Sequence, residues 1–182
     1  MIQQLKSCDQ RSVLGTAVIS ADGILEANGG WIDPGLPFRR RRVGNQLIKS
    51  KEIEAATVEV DWLSGCSLVL KPEAHRPAAR FDDDFLLYYE DIDLCLRLKA
   101  LGAQVLWWHQ LTIGHQKGSG SKVPSSRRLK LSTISYLRFI QRYCPLWVQI
   151  LRVSRLIINS LLRLPFQPKR SAAVLLALRD SR

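Results

Sequence analysis

The chain has 182 residues, 46% of them hydrophobic, which is enough to bury one substantial core and excludes general disorder. Its net charge of +11 is unevenly placed: residues 1–121 hold 14 Lys/Arg against 15 Asp/Glu, and residues 122–182 hold 13 against Asp180 alone. The near-neutral first part has no basic stripe, which argues against a nucleic-acid reader, while the basic tail suits an anionic surface.

Cys8, Cys66, Cys95 and Cys144 are widely spaced, with no CxxC pair and no metal-type Cys/His grouping. Together with an N-terminus that lacks a basic-then-apolar signal pattern, this reads as a reducing, cytoplasmic setting with free thiols.

In chain order, residues 2–14 begin with a short helix-like stretch, and Val13 to Ser20 is an apolar strand closed by the tight turn Ala21-Asp22-Gly23. Asn28-Gly29-Gly30 and Asp33-Pro34-Gly35 are loop signals, and Arg39 to Arg42 sit on the same excursion. That arginine run reads either as a solvated loop or as a phosphate or acceptor contact. Val58 to Leu70 reads as a strand, a small-residue break at Ser64-Gly65, and a second buried strand.

The stretch Phe81 to Leu98, FDDDFLLYYEDIDLCLRL, packs six carboxylates among Phe81, Phe85, Leu86, Leu87, Tyr88 and Tyr89. That interleaving places some of the acids at the edge of a hydrophobic core, where a shifted pKa or a bound cation is expected. The spacing predicts a helix that opens near Glu90 and ends at Gly102, with an i,i+4 pair between Asp93 and Arg97. Glu90, Asp91 and Asp93 in its first turn complement the helix dipole. Gln104 to His109 is a further strand whose Trp107 and Trp108 alternate across it, so that one faces the core, and a polar loop carrying His115 follows. His75 and His109 carry no functional signal. Strands alternating with helices give an α/β fold with a mixed sheet.

Residues 122–145 read as a basic linker and helix, and residues 146–182 as a separate tail. From Leu146 to Leu164 the polar residues Gln149, Arg152, Arg155, Asn159 and Arg163 fall on one narrow helical face of an otherwise apolar segment. Three arginines at about 2.5–3.5 kcal/mol each oppose spanning a bilayer. The segment therefore reads as a helix in the membrane interface with arginines toward the headgroups, or as a helix buried against a partner domain.

The order WLSGCSLVL, FDDDFLLYYEDIDLCLRLKALGAQVLWWH, then a histidine in a polar loop resembles bacterial family 2 glycosyltransferases, in particular rhamnosyltransferase-type enzymes of cell-surface polysaccharide synthesis. The residues that carry the resemblance are Phe81, Asp82, Phe85, Tyr88, Glu90, Asp91, Asp93, Leu94, Arg97, Gly102 and His115, and Val13 to Gly30 resembles the segment that follows that family's metal-binding acidic motif. It covers roughly residues 1–145. The resemblance implies an incomplete GT-A-type mixed sheet with flanking helices over residues 1–121, the acceptor side of such a domain, with a C-terminal basic amphipathic helix beyond it.

It further implies that Asp91 is the catalytic base, with Glu90 orienting it or contacting the acceptor. Trp62, Gly65 and Asp93 match the sugar- and acceptor-binding cleft, although core packing explains Trp62 equally well. His115 matches a metal-ligating or diphosphate-contacting position. An inverting transfer needs a carboxylate to deprotonate the acceptor hydroxyl and a divalent cation, Mg2+ or Mn2+, to stabilise the departing nucleoside diphosphate.

The expected partners are a nucleotide-sugar donor, a glycan or lipid-linked acceptor, a membrane surface and a companion chain supplying the nucleotide-binding half, with no nucleic acid. The expected location is cytoplasmic, peripheral on the inner face of the cell membrane. The chain departs from the family in two ways. The Asp-x-Asp metal motif is absent, for Asp82-Asp83-Asp84 lies on the loop feeding the base, and HRPAARFDDD lacks the Gly-Gly usual before Phe-Asp. The expectation is therefore little or no activity for the chain alone. The alternative is a non-catalytic truncated or split-gene remnant that binds membrane or a partner.

Overall fold

The computed structural model describes residues 11–26, 28–33, 39–42, 57–115 and 123–181. The helix-like stretch expected before residue 11, Cys8, Pro34-Gly35 and most of the Gly/Ser-rich segment at 118–126 lie outside them. The chain divides into two compact units.

The first unit holds residues up to 33, 39–81 and 91–119. Its mixed sheet has the order β1 (Ser12–Ile19), β6 (Gln104–Gly114), β4 (Thr57–Glu59). β1 runs parallel to β6, and β4 antiparallel to it. A second, antiparallel sheet joins β3 (Arg39–Arg42), β2 (Gly29–Asp33) and β5 (Trp62–Leu63). Helix α1 (Glu90–Ala100) supplies Ile92, Leu94, Cys95 and Leu98 to a core that also holds Val13, Val60, Leu63, Val105 and Trp107. The result is a mixed α/β structure compatible with part of a GT-A fold.

Several local expectations meet a different outcome. Arg39–Arg42 is a strand paired with β2, not a loop. Asn28 leads into β2 as a buried tie: its side chain accepts from the Val18 N–H and donates to the Glu26 carbonyl at 2.9 Å. Beyond Ser64-Gly65 the second strand shrinks to one bridge between Leu14 and Val69, and Val69 is half exposed, so no buried strand forms there. β6 is longer than expected. Its register with β1 jumps from Thr16↔Trp108 to Ala17↔Thr112, so residues 109–111 bulge out and the strand continues to Gly114. Both Trp107 and Trp108 are buried, because each face of this sheet is covered. The helix ends as its sequence dictates. Gly102 adopts the left-handed φ of +86°, and the Gly102 and Ala103 N–H groups return to Lys99 O and Leu98 O.

The second unit holds residues 82–90 and the C-terminal helices α2 (Ser125–Tyr143), α3 (Leu146–Arg163) and α4 (Pro168–Asp180). Helix α4 packs against both α2 and α3. Residues 82–90, which the sequence grouped with the first region, belong here for specific reasons. The Leu87 N–H donates to Ser135 Oγ, Arg142 pairs with Asp82 at 2.7 Å and stacks over Phe85, and the Tyr89 ring meets Tyr136 and Phe139. Asp82 and Asp84 of the acidic triplet thus both pair with Arg142. Of the apolar residues expected to embed it, Phe85 is buried, whereas Phe81, Leu86 and Tyr88 are at least half exposed.

Candidate active site

Asp91 is the second residue of α1, and the helix opens at Glu90 directly after two residues with left-handed backbone, Tyr88 (φ +64°) and Tyr89 (φ +72°). Consecutive tyrosines rarely adopt that conformation, which is found at turns and functional sites where surrounding structure enforces it. The Tyr89 ring contacts to α2 supply such a constraint. The chain then enters the helix with Asp91 partly exposed.

The Asp91 carboxylate is held at both oxygens. Oδ2 accepts the Gly65 N–H at 3.0 Å, and Oδ1 accepts the N–H of the following Ile92 at 2.8 Å. A β-carbon at Gly65 would lie 3.4 Å from the Asp91 β-carbon, so the turn and the carboxylate are already in contact distance. The turn itself is closed by Ser67 N–H to Ser64 O and anchored to β1, where Ser67 Oγ meets Thr16 Oγ1 at 2.6 Å. Gly65 is therefore a positioning contact for Asp91. A carboxylate has about four lone-pair directions, so each of these single bonds leaves acceptor capacity for an incoming hydroxyl.

His115 follows the end of β6, its N–H bonded to Ile19 O at 2.8 Å. Its ring is spanned by two side chains: Nδ1 contacts Glu26 Oε2 at 2.7 Å, and Nε2 faces Cys66 Sγ at 3.9 Å. The turn at 64–67 thus touches Asp91 through Gly65 and His115 through Cys66. Sequence reasoning named Asp91, Gly65 and His115 but not Glu26 or Cys66. The one available signal for Glu26 was an acid set among small and apolar residues, ILEANGG, and its side chain is 9% exposed.

Other expected site residues occupy structural positions. Trp62 is 2% exposed, so its ring packs in the core and offers no face to a sugar. Asp93 is fully buried and pairs with Arg97 Nε at 2.7 Å, whose guanidinium also donates to Ala78 O and Arg80 O. It fastens the 78–80 loop to α1 and is no substrate contact. Glu90 opens α1 and is half buried. Below Asp91, burial pushes the Cys95 thiol up to about 12, with the Asp91 charge adding to the effect, so this cysteine is inert. On the outer turn of α1, burial opposes the Lys99 charge, but Asp61 at 2.7 Å and Glu59 at 3.5 Å more than offset it and raise its pKa.

A divalent cation needs several converging ligands, and among the described residues no group of three or more His, Cys, Asp or Glu side chains is arranged to hold one. His115 offers at most one ligand atom, because its other nitrogen is taken by Glu26. The described residues alone do not fit the cation.

No protein-family model matches the chain. It is similar to the N-acetylglucosaminyl-diphospho-decaprenol L-rhamnosyltransferase of Mycobacterium tuberculosis H37Rv, 26% identical over 117 residues, which are 64% of this chain and 38% of that protein. It is also similar to the rhamnosyltransferase WbbL of Escherichia coli K12, 29% identical over 98 residues, 52% of this chain and 37% of that protein. The matches thus cover less than two fifths of each relative's length.

Proposed function

We propose that this chain is the acceptor-side, base-bearing part of a family 2 glycosyltransferase that moves a sugar from a nucleotide donor to a lipid-linked or polysaccharide acceptor. The observation that carries the reading is Asp91, fixed at a helix start by the Gly65 N–H and partly open to solvent. The similarity to rhamnosyltransferases supports it.

In this mechanism Asp91 accepts the proton of the acceptor hydroxyl as its oxygen attacks the anomeric carbon, and the nucleoside diphosphate leaves from the opposite face, inverting the centre. Gly65 keeps the carboxylate from rotating away. Glu26 fixes the ring of His115 through Nδ1, which leaves Nε2, beside Cys66 Sγ, as the nitrogen that would meet the departing diphosphate. Glu90, adjacent to the base, contacts the acceptor or orients Asp91. A divalent cation, if bound by the complete enzyme, would neutralise diphosphate charge.

The donor nucleotide site is assigned to the portion of such enzymes outside the matched segment. These 182 residues alone are accordingly expected to show little or no turnover. The reading places the protein on the inner face of the cytoplasmic membrane, where a lipid-linked acceptor would be met. The test is a labelled nucleotide-sugar transfer assay on the purified chain, alone and joined to the remaining part of the mycobacterial relative. Transfer with inversion only in the joined form supports the proposal. Clear turnover by the chain alone, or a retained anomeric configuration, overturns it.

A further inference from the structure

Helix α3 presents an exposed apolar face, while part of its polar set turns inward. Its polar residues Gln149, Arg152 and Asn159 are half buried and Ser160 is buried, while Gln149 donates to Cys144 O at 2.8 Å at the end of α2. The Arg152 charge also reaches Tyr136 of α2, where it works against the burial that raises that phenol's pKa. The opposite side carries Leu146, Ile150, Leu151, Ile158, Leu161 and Leu162, with Trp147 and Ile157 beside them, all between 38% and 69% exposed. A water-soluble helix presents the reverse arrangement. The arginines expected to face headgroups from the centre of this helix instead turn partly inward at Arg152, and the apolar face is what the helix offers to its surroundings.

We infer that this face of α3 is a docking surface for an anionic lipid bilayer, deepening the membrane-surface element of the function proposed above. Charge complementarity selects this occupant. From Leu94 to Arg179 the sequence contains no acidic residue, and Arg155, Arg163, Lys169 and Arg170 are exposed on or just beyond α3. Basic side chains flanking an aliphatic strip match lipid phosphates around an inserted apolar face. A second copy of the same surface would bring two tails together that hold 13 Lys/Arg each and only Asp180 to answer them. The strip is also aliphatic, with Trp147 as its one aromatic, unlike the aromatic-rich centre of a protein interface. Phe166, 83% exposed just past the helix end, extends the strip. No helix among the described residues is long and apolar enough to cross a membrane, so α3 lies in the interface plane.

The test is flotation of the full chain with phosphatidylcholine vesicles, with and without about 30% phosphatidylglycerol, at about 0.15 M salt. Partition at least about tenfold stronger onto the anionic vesicles is expected, and Leu151→Glu with Ile158→Glu should lower it by about tenfold or more. Both substitutions are at exposed sites and should leave the thermal midpoint unchanged. Should the double variant unfold, quenching of Trp147 by brominated lipid, taken as wild type minus Trp147→Phe, decides in its place. Equal partition onto neutral and anionic vesicles, flotation unaffected by the double variant, no Trp147 quenching, or a vesicle-independent dimer each overturns the inference. Flotation is read without any sugar transfer, so failure of the transferase reading would leave this result standing, and the converse holds.

Discussion

Replacing Asp93 with Ala removes the carboxylate that holds Arg97, and the structure sets the size of the effect. Asp93 is fully buried and the pair is 2.7 Å apart, while Arg97 keeps 26% of its side chain exposed and bonds to Ala78 O and Arg80 O. Removing one partner of a buried pair costs about 3–5 kcal/mol, and the partial exposure of Arg97 places this case near 3 kcal/mol. That is a large share of the roughly 5–15 kcal/mol that keeps a domain folded. With a urea m-value of about 2 kcal/mol/M, the midpoint should fall by about 1.5 M. The assay is urea unfolding followed by the fluorescence of the buried Trp62 and Trp107. Asp93→Asn, which keeps an acceptor oxygen, should lose about half as much. Asp93→Leu combined with Arg97→Met should be less destabilised than Asp93→Ala alone, because no charge is left unpaired. An Asp93→Ala midpoint within about 0.3 M of wild type would refute the reasoning.

Two further outcomes follow from the same unit. Lys99 has a raised pKa, so its stabilising contribution is fully present below the unfolded value of about 10.4 and is lost as pH rises through the folded one. The stability gap between wild type and Lys99→Met should therefore hold steady from neutral pH up to about 10.4 and narrow only above it, as read from urea midpoints in a pH series. In a Cys8→Ser background, iodoacetamide should label exposed Cys66 first, with buried Cys144 and Cys95 protected until denaturant is added. Mass spectrometry showing Cys95 labelled as fast as Cys66 in the native protein would contradict the site described above.

What the sequence disclosed and what it hid divide along physical lines. The first strand, the turn at 21–23, the helix from Glu90 with its Gly102 cap and the Asp93–Arg97 pair were legible because each rests on local spacing and backbone chemistry. Glu26 and Cys66 were not, for they reach His115 across 89 and 49 residues of chain, brought there by the β1–β6 register and by the anchoring of the 64–67 turn to β1. Trp62 was ambiguous because a buried indole and a sugar-stacking one look alike in sequence, and solvent exposure alone separates them. The amphipathic period of α3 was plain, but periodicity defines two faces without saying which is turned outward. The triplet Asp82-Asp83-Asp84 was placed on the loop feeding the base from sequence order, but its tie to Arg142, 60 residues away, was not legible there.

The central claim is that Asp91 is the base of a sugar transfer. The most direct measurement is the transfer rate, at saturating donor and acceptor, of the chain joined to the remaining part of the mycobacterial relative, compared with its Asp91→Asn form. Asparagine keeps an oxygen for the Gly65 N–H but cannot take a proton, so the account predicts a fall of about 10²–10⁴-fold with the fold intact. Equal rates for the two forms would contradict it.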